Sequence, residues 1–327
     1  MKYKKPNNYQ LFNKFDLNST FKEIYWDPFS MPMPLELTSE MLKLQEKQLK
    51  NFEIKSDLIN LPDLCFVIIT KIDNEFRLNN LKAVIKHLNN HFSNEIIIAE
   101  YDTDSKINFN GNYKRFLIEP MCNGFWRNYS ANILYQKLGN IKYLFNIESD
   151  VIFDPQGIID CYNQMKFNNY KFCMPFNGLQ FWLNKKTTNN FIESNKLPLV
   201  WKNIYNLTSD FEVLYFDHEI KNSYLHPGFC YMVDYKTFKK VGLENENFKK
   251  HGYDDTERIA RYLKHGYEIY YADYFCYHLW HPRNKKDPYY SIDTNNKEEY
   301  LRIIKMSLQE LKDEIKSWPW LKSTPLN

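Results

Sequence analysis

Short apolar segments alternate with amphipathic ones through the first half of this 327-residue chain, and this alternation limits the folds available to it. Residues 64–70 (LCFVIIT) and 96–99 (IIIA) are continuously apolar, as strands buried on both faces of a sheet are. Residues 77–88 instead carry leucine or isoleucine every three or four positions, as an amphipathic helix does. With a shorter strand at 114–120, a helix from 125 to 139 and a strand at 143–153, the order predicts an open, mostly parallel α/β sheet.

The ends of the chain differ from this central part. Proline recurs before residue 60, where we expect an N-terminal extension (1–60) with a polar helix at about 39–52. We expect one α/β domain at 61–290, divided into a first half, 61–155, and a second half, 156–290. Residues 291–327 should form a tail with one amphipathic helix from about 297 to 316, whose stripe is Leu301, Ile304, Leu308, Leu311 and Ile315. Its polar face mixes acids and bases, so we expect it to pack on the domain rather than on anionic lipid.

Composition and charge exclude some classes of protein. The formal net charge is only +3, from 43 basic and 40 acidic residues spread along the chain, which argues against a nucleic-acid binder. The six cysteines are scattered, and we expect reduced thiols. We expect no signal peptide, because no apolar run follows the basic start, and no run approaches the roughly 20 apolar residues that span a bilayer. We therefore expect a cytoplasmic protein, with peripheral association at the inner membrane face left open.

Acidic residues and histidines follow two of the expected strands. Glu148-Ser149-Asp150 lies at the carboxyl end of a strand, where α/β sheets bind ligands, and its two carboxylates can share Mn²⁺ or Mg²⁺. A solvated turn is the alternative for so short a motif. His278 and His281 form an HxxH pair that could complete a mixed oxygen and nitrogen sphere, although core histidines also occur singly.

Three further acids, Asp254, Asp255 and Glu257, begin a helix in the second half. The helix dipole favours acids in a first turn, which accounts for one of them but not for all three. A carboxylate held there could act as a general base on a hydroxyl group.

Together these segments resemble the inverting GT-A glycosyltransferases of the galactosyltransferase and chondroitin-polymerase type. These are similar to glycosyltransferase families 2 and 7. The resemblance covers residues 63–285: FVIIT, EIIIAEYD, WRNYSANILYQ and FNIESDV are similar to the nucleotide-binding half. The acceptor half is matched in order by Gly228, the turn HGYDD, Arg261 with Leu263, Gly266 and His281. Two departures are Glu148 in place of an aspartate, and His251 and Tyr253 in place of the tryptophan and second glycine of the acceptor turn.

The resemblance implies a GT-A fold with a Rossmann-like nucleotide-sugar-binding half, a UDP-sugar donor and an oligosaccharide or glycolipid acceptor. It implies that Asp150 is the principal metal ligand, with Glu148, His281 and His278 as further candidates. Asp255 corresponds to the catalytic base and Asp254 to an acceptor-binding acid. The residues expected to meet the donor nucleotide are Arg77, Glu100, Asp102, Arg127 and Ser149.

The resulting hypothesis is a metal-dependent hexosyltransferase of bacterial surface-polysaccharide or capsule synthesis. The departures support a second hypothesis, an inactive relative that binds a glycan or nucleotide in a polysaccharide assembly complex. A nucleotidyltransferase is a third, weakened because no Gly-rich phosphate loop lies near the start of the chain.

Overall fold

The computed structural model describes residues 57–122, 124–139, 141–176, 180–197, 228–249, 252–274, 276–282 and 294–322. The expected extension up to residue 56, its helix at 39–52, and His251 lie outside these ranges.

The first half of the domain follows the predicted order of elements. They are β1 (Leu64–Thr70), α1 (Glu75–His91), β2 (Ile96–Tyr101), β3 (Lys114–Ile118), α2 (Arg127–Lys137) and β4 (Tyr143–Ile147). The side chain of Asn74 caps α1 by accepting a hydrogen bond from the backbone N–H of Arg77, 3.0 Å away. β1, β2 and β4 are fully buried, which explains why they could be recognised as apolar runs.

Further strands and helices follow β4 along the chain. They are β5 (Val151–Phe153), α3 (Pro155–Phe167), β6 (Phe172–Met174), β7 (Gln180–Trp182), α4 (Lys185–Ser194), β8 (Cys230–Asp234), α5 (Tyr235–Lys240), α6 (Asp254–Lys264), β9 (Ile269–Tyr271) and β10 (Cys276–His278). The tail contributes α7 (Thr294–Lys305), α8 (Leu308–Ser317) and α9 (Pro319–Lys322).

The central sheet has seven strands in the order β3-β2-β1-β4-β8-β6-β9 among the described parts of the chain. All its neighbours pair in parallel except β8, which runs antiparallel to β4 and to β6. A second sheet has the order β5-β10-β7. The prediction of an α/β fold with a mostly parallel central sheet is confirmed.

The expected single strand at 143–153 is wrong. β4 ends at Ile147 in the central sheet, and β5 starts at Val151 in the second sheet, where it pairs with β10. The backbone carbonyl of Asp150 accepts a hydrogen bond from Leu279, 2.7 Å away, next to β10. The three residues between the strands, Glu148, Ser149 and Asp150, therefore bridge the two sheets at the carboxyl end of β4.

Aromatic residues form much of the core, which accounts for part of the 17% aromatic content. The ring of Phe66 lies 5.3 Å from that of Phe92 and 5.6 Å from that of Phe145, centroid to centroid. All six cysteines are free thiols and five of them are buried, in agreement with the prediction.

The predicted continuous tail helix is also wrong, because Ser307 interrupts it. Ser307 and Glu310 form a capping box, so α8 begins anew after α7. Leu308 is consequently 39% exposed, whereas Leu311 and Ile315 pack with Ile303 and Trp318. The tail packs on the domain as expected: the ring of Tyr300 stacks on Tyr253 at 5.5 Å. Within the described ranges, no helix is both long and apolar enough to cross a bilayer.

Candidate active site

Asp150 and the two histidines of the HxxH pair meet between the sheets. His278 ends β10, and its Nε2 lies 3.5 Å from Asp150 Oδ1. His281 Nε2 lies 3.3 Å from Asp150 Oδ2. The three side chains are buried, and each offers one ligand atom within 4.8 Å of the other two. The fold thus brings Asp150 together with two histidines that lie 128 or more positions later in the sequence (150 to 278).

A fourth side chain, that of Arg77, contacts the same carboxylate. Its Nη1 lies 3.2 Å from Asp150 Oδ2, and its Nε lies 3.3 Å from Asp73 Oδ1. Burial would raise the pKa of Asp150, but the charges of His278, His281 and Arg77 outweigh this and hold its pKa well below the usual range. Asp150 is therefore an ionised carboxylate surrounded by cationic or cation-binding groups.

The other residues of the acidic turn have different surroundings. Glu148 is half-buried and lies outside the cluster of Asp150, His278 and His281. Its backbone N–H donates a hydrogen bond to the carbonyl of Phe229, which precedes β8. Burial, followed by the charge of Asp150, raises the pKa of Glu148 to about 8. The hydroxyl of Ser149 accepts a hydrogen bond from Thr70 at the end of β1, 3.1 Å away.

Asp254 and Asp255 occupy the first turn of α6 without capping it. The cap residue is Tyr253, which adopts a left-handed φ of 67° and makes no side-chain capping bond. A glycine would adopt this φ without strain, whereas a tyrosine pays about 1 kcal/mol or more, offset here by its stacking on Tyr300. Glu257, the third acid, is 1% exposed and binds Arg261 at 2.7 Å, so its contact is structural.

Asp255 belongs to a buried ionic network that the sequence did not indicate. Arg258 is fully buried and joins Asp255 Oδ1 to Glu244 Oε2, each 2.9 Å from a guanidinium nitrogen. Its guanidinium also lies over the ring of Tyr231 at 4.3 Å, and the Tyr231 hydroxyl donates a hydrogen bond to Glu244. The i,i+3 spacing of Asp255 and Arg258 could have been read from the sequence, but nothing local points to Glu244.

Arg127 begins α2 and faces the same acids. Its Nη1 lies 3.8 Å from Glu244 Oε1 and 3.9 Å from Asp254 Oδ2. Burial, followed by the charge of Asp255, raises the pKa of Asp254 to about 7, while Arg127 acts in the opposite direction. Within the part of the chain that the structure describes, Arg127 Nε and Nη1 are buried and have no hydrogen-bond acceptor. Their hydrogen-bonding capacity is therefore unused within the described residues.

Glu100 and Asp102 lie at the carboxyl end of β2, two strands from β4 along the sheet edge. Glu100 is fully buried and accepts hydrogen bonds from Ser105 Oγ at 2.6 Å and from the backbone of Lys106 at 2.7 Å. Asp102 pairs with Lys106 at 2.6 Å, and this pairing outweighs its burial and lowers the pKa of Asp102. Glu100 thus holds the loop after β2, and contact of either acid with a nucleotide stays a prediction.

Comparisons with known proteins identify the fold. No protein-family model matches the chain, and no curated protein matches it in sequence. The crystal structure of GalNAc-T7 with UDP, GalNAc and Mn²⁺ matches with a TM-score of 0.51 and 13% identity, over 96% of this chain and 60% of that chain. The mannosyltransferase PcManGT from Pyrobaculum calidifontis, in complex with GDP-Man and Mn²⁺, gives a TM-score of 0.45 and 10% identity, over 87% of this chain and 77% of that chain. The first match shows that the chain has the GT-A glycosyltransferase fold.

Proposed function

We propose that this chain is a metal-dependent glycosyltransferase that transfers a sugar from a nucleoside diphosphate to a glycan hydroxyl. The observation that carries the proposal is the cluster of Asp150, His278 and His281 at the carboxyl end of β4. In α/β sheets this edge is where ligands bind, and the acids of α6 lie close enough to it to influence the Glu148 carboxyl. The GT-A fold and the UDP and Mn²⁺ in the GalNAc-T7 structure agree with this assignment.

The donor set fits a divalent metal. One carboxylate oxygen and two imidazole nitrogens suit Mn²⁺ better than Mg²⁺, which prefers oxygen alone. His281 Nδ1 lies 3.2 Å from the carbonyl of Pro282, so an Nδ1–H donates there and leaves Nε2 as the ligand atom beside Asp150. An ion held by Asp150 and the histidines would offset the negative charge that grows on the departing nucleoside diphosphate.

Residues at the sheet edge would hold the donor. Arg77 lies beside the metal cluster, and Ser149 and Asp102 follow β4 and β2, where a nucleotide would lie. The buried N–H groups of Arg127 would bind phosphate or sugar oxygens. UDP is the proposed nucleotide, on the resemblance of the sequence and the UDP in the GalNAc-T7 structure.

Asp255 is the proposed general base. Arg258 fixes one oxygen of its carboxylate at 2.9 Å, while the side chain as a whole remains 24% exposed towards an incoming acceptor. Asp255 would take the proton from the attacking hydroxyl, typically worth about 10²–10⁴-fold in rate. Attack on the face opposite the diphosphate inverts the anomeric carbon, so an α-linked donor gives a β-glycoside. Asp254 would hold a second acceptor hydroxyl.

The proposed biological role is the synthesis of a bacterial surface polysaccharide or capsule on the cytoplasmic side of the membrane. The acceptor would then be an oligosaccharide or a glycolipid. These assignments rest on the sequence resemblance. The alternative, an inactive relative that binds a nucleotide sugar within an assembly complex, predicts binding without turnover.

A screen separates these functions. A panel of UDP-sugars and GDP-Man is first tested for a rise in melting temperature with Mn²⁺, and the donors that bind are incubated with oligosaccharide acceptors. We expect one donor to stabilise the protein and to give a β-linked product by NMR. An α-linked product would contradict the inverting mechanism, binding without product would favour the inactive relative, and the absence of any binding would contradict both.

A further inference from the structure

A positively charged side chain lies on the carboxylate that the proposed metal requires. Arg77 Nη1 is 3.2 Å from Asp150 Oδ2, the same oxygen that faces His281 Nε2 at 3.3 Å. The Asp150 side chain is 4% exposed and that of Arg77 is 18% exposed, so water screens the pair only weakly. The carboxylate is therefore already neutralised by a residue of the chain itself.

A guanidinium and a divalent ion on one carboxylate repel each other. Asp150 contributes a single negative charge, whereas Arg77 and a divalent ion together bring three positive charges to it. The histidines, when they act as ligands, are neutral and add no negative charge. When a metal binds without a nucleotide, an excess of positive charge therefore surrounds Asp150.

A bound donor would offer Arg77 an anionic partner. Its fork of N–H groups matches the oxygens of a phosphate, and a diphosphate would bring negative charge to the same place. Its Nε is held by Asp73, which is 45% exposed and lies one turn earlier in the chain, so the guanidinium can keep that contact while Nη1 changes partner.

We propose that Arg77 and the metal compete for Asp150, and that Arg77 transfers its contact to the donor diphosphate when the two ligands bind together. The inference rests on the proposed function of this site and adds a coupling to it. Arg77 weakens metal binding to the free protein and strengthens the cooperativity between metal and nucleotide. Because coupling is reciprocal, the metal strengthens nucleotide binding by the same factor.

The test measures Mn²⁺ binding directly, by electron paramagnetic resonance of free Mn²⁺, with no nucleotide and then with saturating UDP or GDP. Wild type is compared with Arg77→Gln and Arg77→Lys. Lys86→Gln is the matched control, because it removes one positive charge from an exposed position on the same helix. Circular dichroism spectra establish that each variant is folded.

We expect Arg77→Gln to bind Mn²⁺ about tenfold more tightly than wild type without nucleotide, since one repulsive charge is gone. The nucleotide should then improve Mn²⁺ binding by a smaller factor in this variant. Arg77→Lys should lie near wild type, and so should Lys86→Gln. Equal or weaker Mn²⁺ binding by Arg77→Gln would overturn the inference alone. Absence of Mn²⁺ binding by wild type and Arg77→Gln alike would overturn the inference and the proposed function together.

Discussion

Replacing Arg258 by methionine tests the buried network that holds Asp255. The change keeps most of the aliphatic stem but removes a fully buried charge with two partners at 2.9 Å, Glu244 and Asp255. Glu244 is 1% exposed and would remain as a buried charge, with Arg127 at 3.8 Å as its remaining cation. Breaking a buried pair in this way typically costs about 3–5 kcal/mol.

The cost should be visible in the melting temperature. At about 2 °C per kcal/mol for a domain of this size, Arg258→Met should melt about 6–10 °C below wild type by calorimetry. The control is Arg302→Met, which removes an arginine that also makes two short ion pairs, to Glu299 and Glu314, but is 41% exposed. Each surface pair is worth less than about 1 kcal/mol, so losing both should lower the melting temperature by no more than about 4 °C.

A double-mutant cycle localises the effect. Glu244→Gln, Arg258→Met and the double variant should show a coupling energy of about 1–3 kcal/mol, since the two side chains touch. If Arg258→Met is no less stable than Arg302→Met, or if the cycle shows no coupling, the account of this network is wrong.

Three further predictions follow from single residues. Asp255→Asn should lower kcat about 10²–10⁴-fold with little change in donor KM, because it removes the proposed base, and an unchanged kcat would exclude that role. Asp254 has its pKa raised from 3.8 to about 7, so its ionisation costs stability progressively as pH rises from about 4 to 7. Asp254→Asn should therefore gain melting temperature over wild type as pH rises through that range, and a constant difference would contradict the shift. Tyr300→Ala removes the ring that stacks on Tyr253, a residue of the turn proposed to bind the acceptor. The acceptor KM should therefore rise more than the donor KM in steady-state kinetics. Equal changes in the two KM values would indicate a purely structural role.

The sequence predicted the first part of the central sheet because three of its strands are buried on both faces. Burial on both faces makes β1, β2 and β4 continuously apolar, and α1 between them has the period of an amphipathic helix. The division of 143–153 between two sheets could not be read, because both pieces are equally apolar and the turn between them has only three residues. The interruption of the tail was readable, since Ser307 and Glu310 have the spacing of a capping box.

The sequence likewise predicted only part of the candidate site. Strand ends and spacing indicated Asp150, His278 and His281, and the structure places these three together. Glu148 lies outside that group, although strand alternation would put it on the same side as Asp150, because β4 ends at Ile147 and both residues lie in the turn before β5. Contacts of Arg77 with Asp150 and of Arg258 with Glu244 depend on how separate elements pack, which local patterns do not encode.

Sugar transfer is proposed to depend on a metal held by Asp150. The most direct measurement is release of nucleoside diphosphate from the donor that binds best, with an acceptor present, in Mn²⁺ and in EDTA. Asp150→Asn is compared with Asp313→Asn, a matched change at an exposed position of α8. We expect release that requires Mn²⁺, is lost in Asp150→Asn and is unchanged in Asp313→Asn. Release that persists in EDTA, or in Asp150→Asn at the wild-type rate, would contradict it.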